Sequence, residues 1–251
     1  MNILDGLIFG LIQGLTEFLP VSSSGHTLLA GRVLGYTPDV ALELIAHIGT
    51  LLALIVVMRQ PLFEIVKRPF TKKNGFLLVT TAVTGIIFLT NETFFRTAGG
   101  TYLSVGFLIT ATMLVAAHLL PDRNKNMTLI DAVLIGAAQG IAGLPGISRS
   151  GATVSAARMA GIGKNESAQY SFLAAIPIII AASAYEMIVG GFNSLPVWPA
   201  VVCFAASFIS GLAALKICLR VFSSDNSVYF AVYLVLLSVF LTVNDLFLHI
   251  I

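Results

Sequence analysis

Charge is scarce in this chain. Asp, Glu, Lys and Arg together make up 10% of its 251 residues, whereas soluble domains carry about 25% charged residues, and 57% of the chain is hydrophobic. This composition excludes a soluble domain with a charged, solvated surface. The net charge of +2 is also too small to indicate a nucleic-acid partner. The composition therefore predicts a multi-pass membrane protein.

Cysteine is almost absent as well. The two cysteines, Cys203 and Cys218, lie fifteen residues apart in one apolar stretch. Such a pair does not form the repeated pattern that marks a disulfide framework or a metal site, so we expect two buried, unpaired thiols.

Long apolar runs, in contrast, are abundant. A helix needs about 20 mostly apolar residues to cross a bilayer, and six stretches are long enough or nearly so. They cover residues 40–58, 75–90, 102–120, 168–189, 197–219 and 227–249. We therefore expect an all-α fold with about six transmembrane helices.

Two other apolar stretches, 3–19 and 129–144, end differently. A proline follows each of them, and a Ser/Gly-rich turn then leads into a short helical segment, at 24–34 and 150–161. Backbone that is broken in this way is tolerated at membrane depth only where protein or a water-filled cavity covers it. The sequence thus predicts two re-entrant helical hairpins, each of which enters and leaves the membrane on one side.

The two hairpins are copies of each other. QGLTEFLPVSSSGHT at 13–27 returns as QGIAGLPGISRSGAT at 139–153. The copies differ in their chemistry, because the first carries a glutamate and a histidine that the second lacks, and the second gains Arg149. Neither copy has a complete set of reactive groups, so we expect the two to form one site together.

Basic residues indicate the orientation of the repeat. Short cytoplasmic loops collect Lys and Arg. Most of the basic residues fall in alternate loops: Arg59, Lys67, Arg68, Lys72, Lys73, Arg123, Lys125, Lys216 and Arg220. The loops between them hold only Arg96, and 190–196 holds no basic residue. We expect a single membrane domain, 1–251, whose halves 1–120 and 128–251 have inverted topology, with both termini outside and the hairpin tips near the midplane.

Arg149 lies between two serines in the second hairpin. Its planar guanidinium can hold a phosphate through two hydrogen bonds, and Ser148, Ser150 and Thr153 add hydroxyl donors. The helix that starts after each Ser/Gly turn also points free backbone N–H groups at the same region. The alternative is an arginine that snorkels or pairs with a structural carboxylate, but its place in a turn favours a phosphate site.

Glu17 and His26 are the titratable pair of the first hairpin. Glu17 could hold a divalent cation or act as a base, and His26 could donate a proton or attack phosphorus. Three serines, Ser22, Ser23 and Ser24, precede Gly25 and His26. Spacing alone does not show which of these serines is functional, and any of them could be only a helix cap.

Other polar residues in apolar segments are expected to be structural. Glu43 and His47 share one helix face and are predicted to pair, with a role for His47 along the substrate path as the less favoured alternative. Glu186 and Arg158 are expected to form helix-end or interhelical pairs. No role is assigned to His118 or His249.

The two motifs resemble those of the undecaprenyl-diphosphatase family, the bacitracin-resistance integral-membrane phosphatases. The resemblance rests on Gln13 and Glu17, on PVSSSGH at 20–26 and on PGISRSGAT at 145–153. The segment YSFLAAIP at 170–177 also looks like the family's helix after the second motif. Many members have glutamate where this chain has Gln13, and a neutral amide cannot replace a carboxylate as a base. Gln13 is therefore assigned to substrate binding, by hydrogen bonding or neutral ligation.

This resemblance implies an enzyme that hydrolyses undecaprenyl diphosphate to undecaprenyl phosphate at the outer face of the bacterial inner membrane. The lipid carrier is thereby recycled for cell-wall synthesis. The implied catalytic residues are Glu17, Ser23, His26 and Arg149, with Ser22 in substrate binding, and either Ser23 or His26 attacks phosphorus. A divalent cation, magnesium or calcium, is expected at Glu17.

The expected partners are the polyprenyl diphosphate, membrane lipids and, as one alternative, a second copy in a homodimer.

A second function class also fits an inverted repeat, namely a flippase that moves a polyprenyl phosphate between leaflets without hydrolysis. The chemical difference between the two hairpins favours the enzyme.

Overall fold

The computed structural model of the protein describes residues 2–35, 40–98, 100, 102–189 and 196–250, without the side chain of Arg96. These residues contain helices and no β-strand. The helices are α1 (Ile3–Phe18), α2 (Ser23–Leu34), α3 (Val40–Val57), α4 (Arg59–Lys67), α5 (Lys72–Ala98), α6 (Leu103–Leu119), α7 (Leu129–Ile141), α8 (Arg149–Met159), α9 (Lys164–Val189), α10 (Val197–Ser223) and α11 (Val228–Val243), which a π-helical turn (Asn244–Leu248) follows. The expected all-α fold is confirmed. The loop residues 190–195 lie outside the described part.

Five helical segments are long and apolar enough to cross a membrane. They are Val40–Val57, Lys72–Phe95, Lys164–Val189, Val197–Ser223 and Val228–Leu248. They correspond to five of the six stretches expected from the sequence. The sixth stretch, 102–120, forms α6, which is apolar but only 17 residues long. The structure therefore supports a polytopic membrane protein with five clear candidate spans among the described residues.

The sequence repeat is also a repeat of local structure. Asn2 caps α1 and Asp5 completes a capping box, and Thr128 and Asp131 do the same for α7. These two caps lie 126 residues apart, which is also the distance between the copied motifs. The duplicated sequence thus starts the two hairpins with the same hydrogen-bonding pattern.

Glycines on α1 and α7 allow close helix packing. α1 packs on α10 and α7 packs on α5. A Cβ on Gly10 would lie 2.4 Å from the carbonyl oxygen of Cys203, and one on Gly136, its copy, would lie 2.8 Å from the carbonyl oxygen of Thr80. Each hairpin of one half is therefore pressed against a long helix of the other half.

The second hairpin runs through the interior of the protein. Every residue of α8 from Ser150 to Arg158 is buried. Its side chains are mostly small or polar, and neighbouring helices cover them, so this short helix does not need an apolar outer face. Both cysteines are also buried and neither forms a disulfide, as the sequence predicted.

An ion-pair network joins the ends of several helices at Asp225. Arg158 Nη1 lies 3.4 Å from Asp225 Oδ1, and Lys164 Nζ and His118 Nδ1 lie 3.0 and 3.6 Å from Oδ2. Arg158 Nη2 also donates to the carbonyl oxygens of Ala117 (3.3 Å) and Leu120 (3.2 Å). The interhelical pair expected for Arg158 is confirmed.

We expect Asp225→Asn to lower the free energy of unfolding by about 1–3 kcal/mol at neutral pH, because it leaves the buried Arg158 charge without its partner. Burial raises the pKa of Asp225, but the Lys164 hydrogen bond and the charges of Arg158, Lys164 and His118 hold it below its usual value overall. A lowered pKa stabilises the fold above about pH 4, and this contribution is lost as the pH falls through the lowered value.

Thermal or denaturant unfolding in detergent between pH 3 and pH 7 measures this difference. The gap between wild type and variant should close on the acidic side. Asp122→Asn, at an exposed carboxylate, is the matched control. A gap that stays constant over the whole pH range would contradict the electrostatic explanation.

Candidate active site

The tips of the two hairpins meet and are hydrogen-bonded to each other. Ser22 Oγ accepts a hydrogen bond from the backbone N–H of Gly146 at 3.2 Å. Ser150 Oγ donates to the carbonyl oxygen of Leu19 at 3.2 Å. The two copies of the motif therefore form one continuous structure, as the sequence predicted.

Copied serines start the second helix of each hairpin. Ser22 caps α2 by accepting from Gly25 N–H, and Ser148 caps α8 by accepting from Gly151 N–H. The first N–H groups of a helix have no partner within the helix, and the helix dipole makes this end positive. The positions directly after the caps, Ser23 and Arg149, thus lie where an anion is stabilised.

The carboxylate of Glu17 is the centre of the site. Its Oε2 accepts hydrogen bonds from Ser23 Oγ at 2.7 Å and from Gln13 Nε2 at 2.9 Å. Its Oε1 accepts from Arg149 Nη2 at 2.6 Å. The carboxylate is buried, so these donors replace water as its solvation.

Arg149 has one further group available for binding. While Nη2 holds Glu17, Nη1 is buried and has no hydrogen-bond partner within the part of the chain that the structure describes. A buried N–H without a partner is costly, and it is expected where a ligand completes the pairing. The guanidinium can therefore hold a carboxylate with one side of its fork and an anionic ligand with the other.

These groups lie at one end of a cavity of about 460 Å³. Much of its polar lining comes from the hairpin tips, where Glu17, Ser23 and Arg149 are found. The remaining lining is mostly apolar and comes largely from α5 and α9: Gly85, Phe88, Leu89, Ile178, Ile179, Ala181, Ala182 and Tyr185. The cavity thus combines an anion-binding end with a hydrocarbon-like extension.

The structure brings together six of the residues that the sequence singled out. They are Gln13, Glu17, Ser22, Ser23, Ser148 and Arg149, of which all but Gln13 line the cavity. Ser150 and Thr153 lie behind it. Ser150 binds the Leu19 carbonyl, and Thr153 Oγ1 donates to the Arg149 carbonyl at 2.8 Å, so both support the hairpin instead of lining the cavity.

His26 faces another side of the first hairpin. Its Nδ1 donates to the carbonyl oxygen of Ser22 at 2.8 Å, and its Nε2 accepts from the Tyr233 hydroxyl at 2.8 Å. Its ring stacks on Tyr233 and meets Phe107 edge to face. It lines a separate, open space with Tyr229 and does not line the cavity of Glu17.

His47 takes the place in the cavity that the sequence gave to His26. Its Nδ1 binds the backbone carbonyl of Glu43 at 2.8 Å, and its ring lines the cavity beside Gln13 and Glu17. A polar residue in an apolar helix was the only sequence signal for this role. The position of α3 relative to α1 is a tertiary property that helical periodicity does not contain.

Gln139, the copy of Gln13, also lines the cavity. Its Nε2 donates to Thr84 Oγ1 at 3.1 Å and so links α7 to α5. No cluster of three or more His, Cys, Asp or Glu side chains that could hold a metal is found among the described residues. Glu17 is the single carboxylate in the described lining of the cavity.

The fold and the site define a class of protein: a polytopic membrane protein with an anion-binding cavity that has an apolar extension. Comparison with known proteins gives the family. The family model described as bacitracin resistance protein BacA matches residues 6–240. The chain therefore belongs to the bacitracin resistance protein family.

Its relatives match over nearly their whole length. The undecaprenyl-diphosphatase of Carboxydothermus hydrogenoformans is 35% identical over 250 residues, which cover 95% of this chain and 96% of the relative. The undecaprenyl-diphosphatase of Christiangramia forsetii is 36% identical, with 93% and 94% of the two chains covered. That of Treponema denticola is 31% identical, with 97% of each chain covered.

Proposed function

We propose that this chain is an undecaprenyl-diphosphatase, which hydrolyses undecaprenyl diphosphate to undecaprenyl phosphate and inorganic phosphate. Recycling of this carrier for cell-wall synthesis confers resistance to bacitracin. The observation that carries the proposal is Arg149, which lines the cavity, holds Glu17 with one guanidinium nitrogen and has its other terminal nitrogen buried and unpaired within the described structure. The names of the relatives support a hydrolase and not a flippase without chemistry.

The cavity matches the two chemical parts of the substrate. The diphosphate lies at the polar end, against Arg149 and the starts of α2 and α8, where positive helix ends favour an anion. The first isoprene units lie along the apolar lining from α5 and α9. This placement keeps the prenyl chain in apolar surroundings and pairs the negative charge of the phosphates with Arg149 and the positive helix ends.

Ser23 is the residue best placed to attack phosphorus. Its hydroxyl donates to Glu17 Oε2, so the carboxylate takes the proton as the bond from Oγ to the terminal phosphorus forms. The bond from phosphorus to the bridging oxygen breaks, and its electron pair leaves with undecaprenyl phosphate. Arg149 neutralises charge on the transferred phosphoryl group. His26, whose ring lies outside the cavity, supports the hairpin in this scheme.

Glu17 is the residue that would hold a divalent cation bound to the diphosphate of the substrate. Magnesium in proteins commonly uses one or two carboxylates together with substrate phosphates, and Glu17 is the one carboxylate that the described cavity lining offers. These residues fit a cation that the diphosphate carries, held by Glu17 as the sequence predicted. When bound, the cation supplies additional charge neutralisation at the phosphates.

The inverted repeat with two re-entrant hairpins is proposed for the membrane arrangement, with α6 as the sixth span. Three observations support it: the matching caps of α1 and α7, the reciprocal packing of α1 on α10 and α7 on α5, and the burial of α8. The distribution of basic residues supports an active site that opens to the outer face of the bacterial inner membrane. The protein then acts where the carrier is released after cell-wall assembly.

Phosphate release by the purified full-length chain in detergent tests the activity. With undecaprenyl diphosphate and magnesium or calcium we expect sustained release of inorganic phosphate, and a chelator should slow it. An Arg149→Ala preparation, purified in parallel, reports contaminating phosphatase. Release no faster than in this preparation would refute the enzyme, and translocation of lipid without release would indicate the flippase.

A further inference from the structure

His47 shares a hydrogen-bonded group with the two polar residues of α1. Its Nε2 lies 3.2 Å from Gln13 Nε2 and 3.9 Å from Glu17 Oε2. About a third of its side chain is exposed, at 37%, and it lines the cavity with Glu17 and Arg149. A histidine on α3 is thus in reach of whatever occupies the polar end.

Hydrogen bonds determine which nitrogen of His47 carries the proton. The carbonyl oxygen of Glu43 can only accept, so Nδ1 is the protonated nitrogen of the neutral ring. Nε2 is then the unprotonated nitrogen, and its lone pair accepts a hydrogen bond from the amide N–H of Gln13. The same amide donates its second hydrogen to Glu17, so one consistent assignment satisfies all three side chains. The basic nitrogen of His47 therefore points to the site.

The reaction needs a proton acceptor besides Glu17. Glu17 takes the proton of Ser23, to which it is hydrogen-bonded, in the first half of the reaction, so it holds that proton when water attacks. A neutral imidazole nitrogen that carries a lone pair can accept the proton of the water.

Charged or titratable residues around His47 come from several helices. In the described structure Glu17 of α1 lies beside it, Arg149 of α8 binds Glu17, Tyr185 of α9 lines the same cavity, and Glu43 of its own helix contributes its backbone carbonyl. α10, which also packs on α3, contributes no residue to the described cavity lining.

We propose that His47 is a catalytic residue, the general base for the water that releases phosphate; this inference rests on the proposed function. After the first half of the reaction, Ser23 Oγ carries the phosphoryl group and Glu17 carries the serine proton. Water attacks phosphorus and gives its proton to His47 Nε2, while the bond from phosphorus to Oγ breaks. Oγ keeps the electron pair and takes its proton back from Glu17. His47 then releases its proton to solvent.

Gln13 is the positioning residue for this base. A glutamate at this position would place a second carboxylate beside Glu17, whereas the amide holds Glu17 and His47 at once. In this proposal the proton acceptor beside Glu17 is His47, on another helix, and Gln13 holds it in place.

His47→Gln in the full-length enzyme tests this role. Glutamine can still accept from Gln13 but cannot hold the transferred proton, so we expect kcat to fall roughly 10²–10⁴-fold. KM should fall together with kcat, and kcat/KM should change little, because the first half of the reaction is left intact. When the reaction of the variant is quenched with acid, intact-protein mass spectrometry should show a phosphoryl group retained on Ser23, because only the second half of the reaction, the attack of water, is slowed.

Rescue of the lost activity by a second substitution distinguishes a catalytic role of His47 from a purely structural one. Gln13→Glu added to His47→Gln places a carboxylate beside the same site and should recover part of the lost kcat. His118→Gln, at a histidine that faces Asp225 outside the cavity, is the matched control and should keep wild-type kcat.

Three results would overturn the proposal: an unchanged kcat, a rise in KM alone, or a fall in kcat without phosphorylated enzyme and without rescue. Failure of the proposed function itself is distinct, because wild type would then release no phosphate.

Discussion

Glu17→Gln is expected to lower the rate of phosphate release by roughly 10²–10⁴-fold while the protein stays folded. The amide preserves shape but cannot take the proton of Ser23, whose Oγ lies 2.7 Å from the carboxylate. One oxygen of the carboxylate also becomes an NH₂ group, which then faces either Arg149 or both Ser23 and Gln13. These three residues donate hydrogen bonds to Glu17, so the new N–H meets another donor. Initial rates of phosphate release and thermal unfolding in detergent measure the two effects separately.

Substrate binding should survive in this variant. Arg149 loses a competing anion when Glu17 becomes neutral, so KM should not rise. Glu64→Gln, on the exposed surface of α4, is the matched control. A near wild-type rate in Glu17→Gln would show that another group activates the nucleophile.

Arg149→Lys is expected to lower kcat roughly 10²–10³-fold, although the charge is kept. The guanidinium has two terminal nitrogens in a fixed plane, of which one holds Glu17 and the other is buried and left unpaired in the described structure, available to an anionic ligand. A lysine ammonium is a single point charge on a flexible stem and cannot occupy both places. Phosphate-release kinetics, with inorganic phosphate as a product inhibitor, would show the loss in turnover and in phosphate affinity.

The same substitution at the other end of α8 is the control for this result. Arg158→Lys changes a buried arginine that binds Asp225 outside the cavity, so it should affect stability more than kcat. Equal losses of kcat at the two positions would mean that Arg149 acts through the packing of α8 and not through phosphate.

Local structure in this protein was largely predictable. The hairpin breaks, at 19–22 and 142–148, the serine caps and the pairing of the two copies follow from proline, glycine and serine at fixed places. Glu17, Ser23 and Arg149 were predictable as one site because each copy lacked what the other had. Hydrogen bonds between neighbours in sequence do not depend on the rest of the fold, so the motif contains them.

The two histidines were not predictable in this way. His26 stands three residues after Ser23, and on sequence alone it belongs with it, but the turn of α2 points its ring to Tyr233. His47 lies 30 residues from Glu17 and was expected to pair with Glu43, yet α3 brings it within 3.9 Å of the carboxylate. Which face of a helix meets a cavity depends on its neighbours.

The sequence by itself determined the membrane class, the duplicated hairpins and the division of a carboxylate and an arginine between them. Composition and short motifs are sufficient for these properties, since each depends on solvent preference or on local hydrogen bonds. Only the tertiary structure decided that Arg149 keeps one nitrogen for a ligand, that the cavity continues between α5 and α9, and that His47 and not His26 lies beside Glu17. These properties arise from packing between helices that are distant in sequence, where close glycine contacts set the distances.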